Sequence, residues 1–223
     1  MSTKVYALSG IDYTAGVQTC YVIAKDGDAL LVDASADLKD LAEVLAEANA
    51  TLRAVLISHC HFDHVANARR IREAYPDAPF YASPHTEAML ADGTWTAGFV
   101  DYPTPTWRVD VPVEETTYRI GAFAVRAIYT PGHTLDGVCY LVDDAYLACG
   151  DTVMNDIVCG NTSLPTGNAA DLFASGQKLW REAPDEAVIL GGHVWRANED
   201  SWELYGGRST VARAKTRNII NRL

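Results

Sequence analysis

Residues 52–64 read Leu52-Arg53-Ala54-Val55-Leu56-Ile57-Ser58-His59-Cys60-His61-Phe62-Asp63-His64. The first six are apolar apart from Arg53, the pattern of a strand buried on both faces. Three imidazoles and one carboxylate then fall within six residues. In an extended chain, residues two apart share a side, so His59 and His61 address one target while Cys60 points away and packs. Asp63 and His64 lie where the chain turns into a helix expected over about Asp63–Ala74, and can face a neighbouring target. Three clustered imidazoles would repel one another if protonated, and a metal removes that repulsion. Imidazole and carboxylate are usual ligands for zinc and also suit iron.

The same grammar recurs further along the chain. Short apolar runs predict strands over Phe123–Tyr129, Ala145–Cys149 and Ala187–Leu190. Each is followed by a glycine and a ligand-type residue: His133 in Thr130-Pro131-Gly132-His133-Thr134, Asp151 in Gly150-Asp151-Thr152, and His193 in Gly191-Gly192-His193. The glycines allow close backbone approach to a crowded centre. Convergence of these strand ends on the His59–His64 cluster is the better explanation of the shared pattern. His85, in Ser83-Pro84-His85-Thr86, stands apart and reads as a surface residue near a helix start.

Upstream, strands are predicted over Lys4–Leu8, Thr19–Ala24 and Ala29–Val32, the last two joined at the hairpin signal Asp26-Gly27. Asp33 ends the third strand. Leu38, Leu41, Val44 and Leu45 are at helical spacing within Asp37–Ala50. Further strands are expected at Phe80–Ala82, Tyr118–Ile120 and Val138–Val142, with helices at Ala170–Glu182 and, broken at Gly206-Gly207, over Asp200–Leu223. Strands followed by helix in each half suggest an α/β chain in αββα layers, with residues 1–223 as a single domain. The stretch Asp92–Pro112 has no clean period and holds Trp95, Phe99, Tyr102 and Trp107. Such a segment is a lid or a surface loop pinned by its own aromatics. Trp95, Tyr102 and Trp107 are therefore candidate substrate contacts.

Composition narrows the partners. The 223 residues carry 18 basic and 29 acidic side chains, a formal net charge of -11. An acidic surface repels phosphate, which argues against a nucleic-acid partner and leaves small-molecule chemistry or a protein partner. No apolar run approaches ~18 residues, so no membrane span is expected. The cysteines are Cys20, Cys60, Cys139, Cys149 and Cys159. Their odd count without a secretory signal fits reduced thiols in a cytoplasmic protein.

Together, His-x-His-x-Asp-His at 59–64, Pro-Gly-His-Thr at 131–134, Gly-Asp-Thr at 150–152 and the late His193 resemble the metallo-β-lactamase superfamily. Asp33 matches that family's first motif. The resemblance implies a metallo-β-lactamase αββα sandwich, two mixed β-sheets flanked by helices, with metal at the edge between the sheets. It assigns His59, His61 and His133 to a first metal and Asp63, His64 and His193 to a second. Asp151 bridges the two, and Asp33 orients a ligand from behind. The cofactors implied are two divalent ions, zinc first, with iron or manganese compatible. Two such cations lower the pKa of a shared water, so that hydroxide attacks a carbonyl carbon. Asp63 and Asp151 are the carboxylates implicated in catalysis, and Asp63 can also take up a proton.

Within the superfamily, the pattern looks like the glyoxalase-II-like hydrolases of small thioesters, with lactonases and persulfide dioxygenases as near relatives. In the glyoxalase-II-like and persulfide dioxygenase group, the positions after Cys159-Gly160 hold an arginine and then an acidic residue. Here they hold Asn161 and Ser163. The cation that would favour a glutathione carboxylate is therefore missing, and Asn161 becomes a candidate substrate contact. Two other readings remain: a mononuclear iron oxygenase acting on a persulfide, and a metal-stabilised binding or accessory protein of a biosynthetic pathway.

Overall fold

The computed structural model describes residues 3–13, 16–96, 107–154, 159–193 and 210–212. The first sheet has six strands in spatial order β1 (Lys4–Tyr13), β2 (Gly16–Lys25), β3 (Asp28–Val32), β4 (Thr51–Leu56), β5 (Phe80–Ala82) and β6 (Val111–Pro112). β1, β2 and β3 pair antiparallel, and β3 to β6 run parallel. The crossovers carry α1 (Leu38–Ala48), α2 (Phe62–Val65), α3 (Ala68–Ala74) and α4 (Thr86–Asp92). The second sheet contains β7 (Thr117–Ile120), β8 (Phe123–Tyr129), β9 (Val138–Val142), β10 (Tyr146–Gly150) and β11 (Val188–Gly191). Its order is β11-β10-β9-β8-β7, with only β10 and β11 parallel. α5 (Ala169–Glu182) precedes β11. Both sheets are therefore mixed, and helices flank them.

Side-chain alternation builds three apolar layers. Leu30, Val32, Ala54 and Leu56 face Phe123, Val125, Val138 and Tyr140 between the sheets. Leu31, Val55 and Ile57 turn the other way, onto Leu41, Leu45 and Ile71 of the helices. On the far side, Cys139, Leu141, Leu147 and Cys149 pack against Leu179 and Ala183. Arg53, the one charge in the β4 run, is exposed and pairs with Asp28 at 2.5 Å.

The predicted helix over Asp63–Ala74 is two helices. Ala34 N–H donates to the His64 carbonyl at 2.7 Å, and Asn67 N–H donates to the Ala34 carbonyl at 2.9 Å. The Asn67 amide also donates to the Ser35 and Ala36 carbonyls at 2.9 and 3.1 Å. The loop after β3 takes these backbone groups, so the helical ladder breaks at residues 66–67. The two described tryptophans of the aromatic segment also differ from expectation. Trp95 and Trp107 are 4% and 6% exposed and belong to the core beneath the first sheet. The Trp107 ring lies 5.6 Å from Phe80. Burying so much apolar area holds these rings in the core, and neither stands out as a ligand-facing surface. Tyr102 and nearly all of the tail helix expected over Asp200–Leu223 fall outside the described residues. Within that tail, Val211 is buried and Thr210 bridges to Val188.

Candidate metal centre

Five strands end at one edge, and each delivers part of the site. β3 leads into Asp33, which adopts a φ of 60°. Aspartate tolerates this left-handed conformation better than most residues. β4 leads into Ser58–His61, and the one-turn α2 then carries Asp63 and His64. β8, β10 and β11 lead to His133, Asp151 and His193. The two sheets are fastened together at this edge. Thr19 N–H donates to the Gly192 carbonyl at 2.8 Å, and Val138 N–H to the Ser58 carbonyl at 2.8 Å. The Tyr21 hydroxyl donates to the Gly191 carbonyl at 2.9 Å, and the Tyr140 hydroxyl to the Ile57 carbonyl at 3.0 Å. Glycine is required where the strands press together. A Cβ on Gly150, whose φ is +47°, would overlap Ser58 Oγ, and one on Gly192 would overlap Asp151 and His64.

All seven ligand-type side chains named from the sequence meet here. They form the triads His59–His61–His133, His59–His64–Asp151 and Asp63–His64–His193, with the donor atoms of each triad within 4.8 Å of one another. His133 Nε2 lies 3.0 Å from His61 Nδ1 and 3.5 Å from Asp151 Oδ2. His64 Nε2 is 3.3 Å from Asp151 Oδ1, and His193 Nε2 is 3.1 Å from Asp63 Oδ2 and 3.5 Å from Asp151 Oδ2. Two ligands at about 2.0–2.1 Å from a tetrahedral zinc lie about 3.3 Å apart. The spacings match that requirement. The orphaned atoms agree with it too: His59 Nε2, His64 Nε2 and Asp151 Oδ1 are buried with no hydrogen-bond partner. The residues therefore fit a divalent metal.

Hydrogen bonds from behind fix which ring nitrogen is free. His133 Nδ1 donates to the Asn161 carbonyl at 2.7 Å, which leaves Nε2 with its lone pair. His64 Nδ1 lies 2.7 Å from Asp33 Oδ2, so in the neutral ring Nε2 is the free nitrogen in the same way. Asp33 also accepts from Ser58 N–H at 2.8 Å and Ser58 Oγ at 3.0 Å. Asn161 thus meets the site through its main chain, and its side-chain oxygen accepts from Ser163 N–H at 2.8 Å. Cys60 is fully buried in the helix-side core, away from the ligands.

The electrostatics divide the cluster. Burial, then the neighbouring imidazoles, holds His59 well below the ordinary histidine range. Burial, then His133, brings His61 down to about 3. These rings stay neutral and keep lone pairs. Burial also opposes charge on His64 and His193, but Asp33 and Asp151 outweigh it at His64, which lies well above the usual value. Asp151 and Asp63 likewise lift His193 to about 9. The Asp151 carboxyl is held well below its usual range against its own burial, by His193 and His64.

Three contributors were not singled out in the sequence. Ser58 bonds Asp33 and lies 3.1 Å from His59 Nδ1. The fully buried Gln18 places its amide 3.5 Å from His64 Nδ1 and its backbone opposite His193. Asp136 is fully buried and accepts from Cys60 N–H at 3.0 Å. Asp136 had a signal, a carboxylate three residues after His133, whereas Gln18 had none. His85 is exposed at the start of α4, as expected.

Comparison with known proteins agrees with the geometry. The family model described as the metallo-beta-lactamase superfamily matches residues 13–193. The probable polyketide biosynthesis zinc-dependent hydrolase BaeB of Bacillus velezensis is 30% identical over 177 residues, covering 78% of this chain and 72% of that protein. The hydroxyacylglutathione hydrolase of Francisella philomiragia is 29% identical over 187 residues, covering 81% of this chain and 64% of that enzyme. Among solved structures, the BLEG-1 B3 metallo-beta-lactamase superposes with a TM-score of 0.77 at 23% identity, covering 96% of this chain and 97% of that one. ETHE1 from Myxococcus xanthus superposes with a TM-score of 0.72 at 23% identity, covering 98% and 85%. By its layered fold, its ligand set and the match across residues 13–193, the chain belongs to the metallo-beta-lactamase superfamily.

Proposed function

We propose that the protein is a dinuclear metal-dependent hydrolase of a small thioester, ester or lactone. The observation that carries this reading is the convergence of seven ligand-type side chains, a set larger than one tetrahedral metal uses. Its relatives include a zinc-dependent hydrolase and a hydroxyacylglutathione hydrolase, which supports hydrolysis as the chemistry. When bound, divalent cations supply Lewis acidity that polarises a carbonyl and acidifies water. The chain's part is to hold that centre and manage protons. His59, His61 and His133 would hold one ion, Asp63, His64 and His193 would hold the other, and Asp151 would serve both. Asp63 is among the more accessible ligands, with 13% of its side chain exposed, so it can accept a proton from the attacking water. Asn161 and Ser163 offer no cation to a glutathione carboxylate, so an uncharged acyl ester or thioester suits the site better. Small-molecule turnover, without nucleic acid, is also the reading that suits the net charge of -11.

Elemental mass spectrometry of protein purified without added metal tests the centre, and a thioester and lactone panel tests the chemistry. Two divalent ions per chain with hydrolysis are expected, and Asp63→Ala should lower kcat by about 10²–10⁴-fold. One iron per chain with oxygen uptake on a persulfide would replace this reading by the oxygenase. Bound metal with no turnover on either panel would favour the binding or accessory role.

A further inference from the structure

The ligand loop Ser58–His61 lies beyond the end of β4, yet its main chain is held from both sheets. Ser58 N–H donates to Asp33 Oδ1, at the end of β3, at 2.8 Å. Cys60 N–H donates to Asp136 Oδ2, on the turn between β8 and β9, at 3.0 Å. The same oxygen accepts from Thr86 Oγ1, at the start of α4, at 2.8 Å. Asp136 is fully buried, its Oδ1 has no hydrogen-bond partner, and among the described residues no lysine or arginine is paired with it. A buried carboxylate so sparsely satisfied costs free energy wherever it stands. Its hydrogen bond into the site goes to the amide between two ligands.

We infer that Asp136 is a positioning residue for the metal centre: its carboxylate fixes the Cys60 amide and thereby aims the flanking His59 and His61 imidazoles. The inference rests on the metal-centre reading above. It acts through hydrogen bonds, so asparagine, which keeps one oxygen able to accept from both Cys60 and Thr86, is a functional replacement. Alanine leaves the Cys60 amide buried without a partner. Thr86→Val is nearly isosteric and releases the carboxylate from α4 while leaving it in place.

The test uses the full chain. Zinc affinity is measured by chelator competition, ligand geometry by the visible spectrum of the cobalt(II)-loaded protein, and stability by melting with and without zinc. Asp136→Ala is expected to weaken zinc binding by about 10–100-fold, the usual effect of removing a partner behind metal ligands. It should alter the cobalt bands and shrink the stabilisation that zinc confers. Asp136→Asn should stay within about threefold of the parent, with parental bands. If Asp136→Ala does not fold, Thr86→Val decides, with a smaller loss in the same direction and shifted bands. Equal destabilisation of metal-free and zinc-loaded Asp136→Ala at unchanged affinity would overturn the inference. So would parental affinity and bands in Thr86→Val, or an asparagine variant as weak as the alanine one. A parent chain that binds neither zinc nor cobalt would instead remove the metal centre itself.

Discussion

Asp33 shows how one side chain decides whether an imidazole can hold a metal. Its Oδ2 lies 2.7 Å from His64 Nδ1, so in the neutral ring that nitrogen carries the proton and Nε2 keeps the lone pair. Asparagine tolerates the φ of 60° and can still accept from Ser58 N–H. Its amide, however, offers a donor where His64 needs an acceptor, which favours the other tautomer and a protonated Nε2. Asp33→Asn is therefore expected to fold and to bind zinc about 10–100-fold more weakly, read by chelator competition. Unchanged affinity would mean that Asp33 does not set the His64 tautomer. This residue was legible in the sequence, because it closes an apolar strand and matches a family motif. The roles of Asp136 and Gln18 are not legible in the sequence for a physical reason. They act on a backbone amide and on the rear of a ring, and which groups those are depends on contacts 76 and 46 residues away in sequence.

Secondary structure was most readable where hydrophobic period and burial agree. β4 and the strands that lead to His133, Asp151 and His193 fall within one or two residues of their apolar runs, because most of the residues in each run are buried. β1 and β2 run longer than their apolar cores, Lys4–Tyr13 and Gly16–Lys25, because the hairpin ladder continues through polar pairs such as Ser9 and Thr19. The break between α2 and α3 could not be read locally, since the loop after β3 imposes it. The tryptophans mark the same limit: period-free sequence does not distinguish a ligand-facing ring from a buried one. Trp107 packs on Phe80 in the core beneath the first sheet. Trp107→Ala is accordingly expected to cost about 3–5 kcal/mol of stability, measured by chemical denaturation, with metal content and KM unchanged. A normal unfolding midpoint with a raised KM would restore the role in substrate contact.

For the molecule as a whole, the site is a concentration of charge that the metal-free fold must tolerate. His61 is brought down to about 3 by burial and then His133, so between pH 6.5 and 3 the unfolded chain takes up a proton that the folded chain refuses. Stability therefore falls as pH drops through that window. His193 has the opposite sign. Against its burial, Asp151 and Asp63 raise it to about 9, so its contribution is complete below pH 6.5 and is lost as pH rises through about 9. His64, raised by Asp33 and Asp151, adds to the alkaline loss. The metal-free protein should thus melt at its highest temperature near about pH 6.5 and less well on either side. A bound cation takes the place of the protons on His64 and His193, which removes the alkaline loss. On the acid side, protons compete with the metal for the same nitrogens. Calorimetry at fixed free zinc should therefore show a stabilisation by zinc that grows from pH 6.5 to 9 and shrinks toward pH 5. A metal-free melting temperature that is flat from pH 6 to 9 would show that the carboxylates do not hold protons on these two histidines, and the cluster would then lack the charge balance described here.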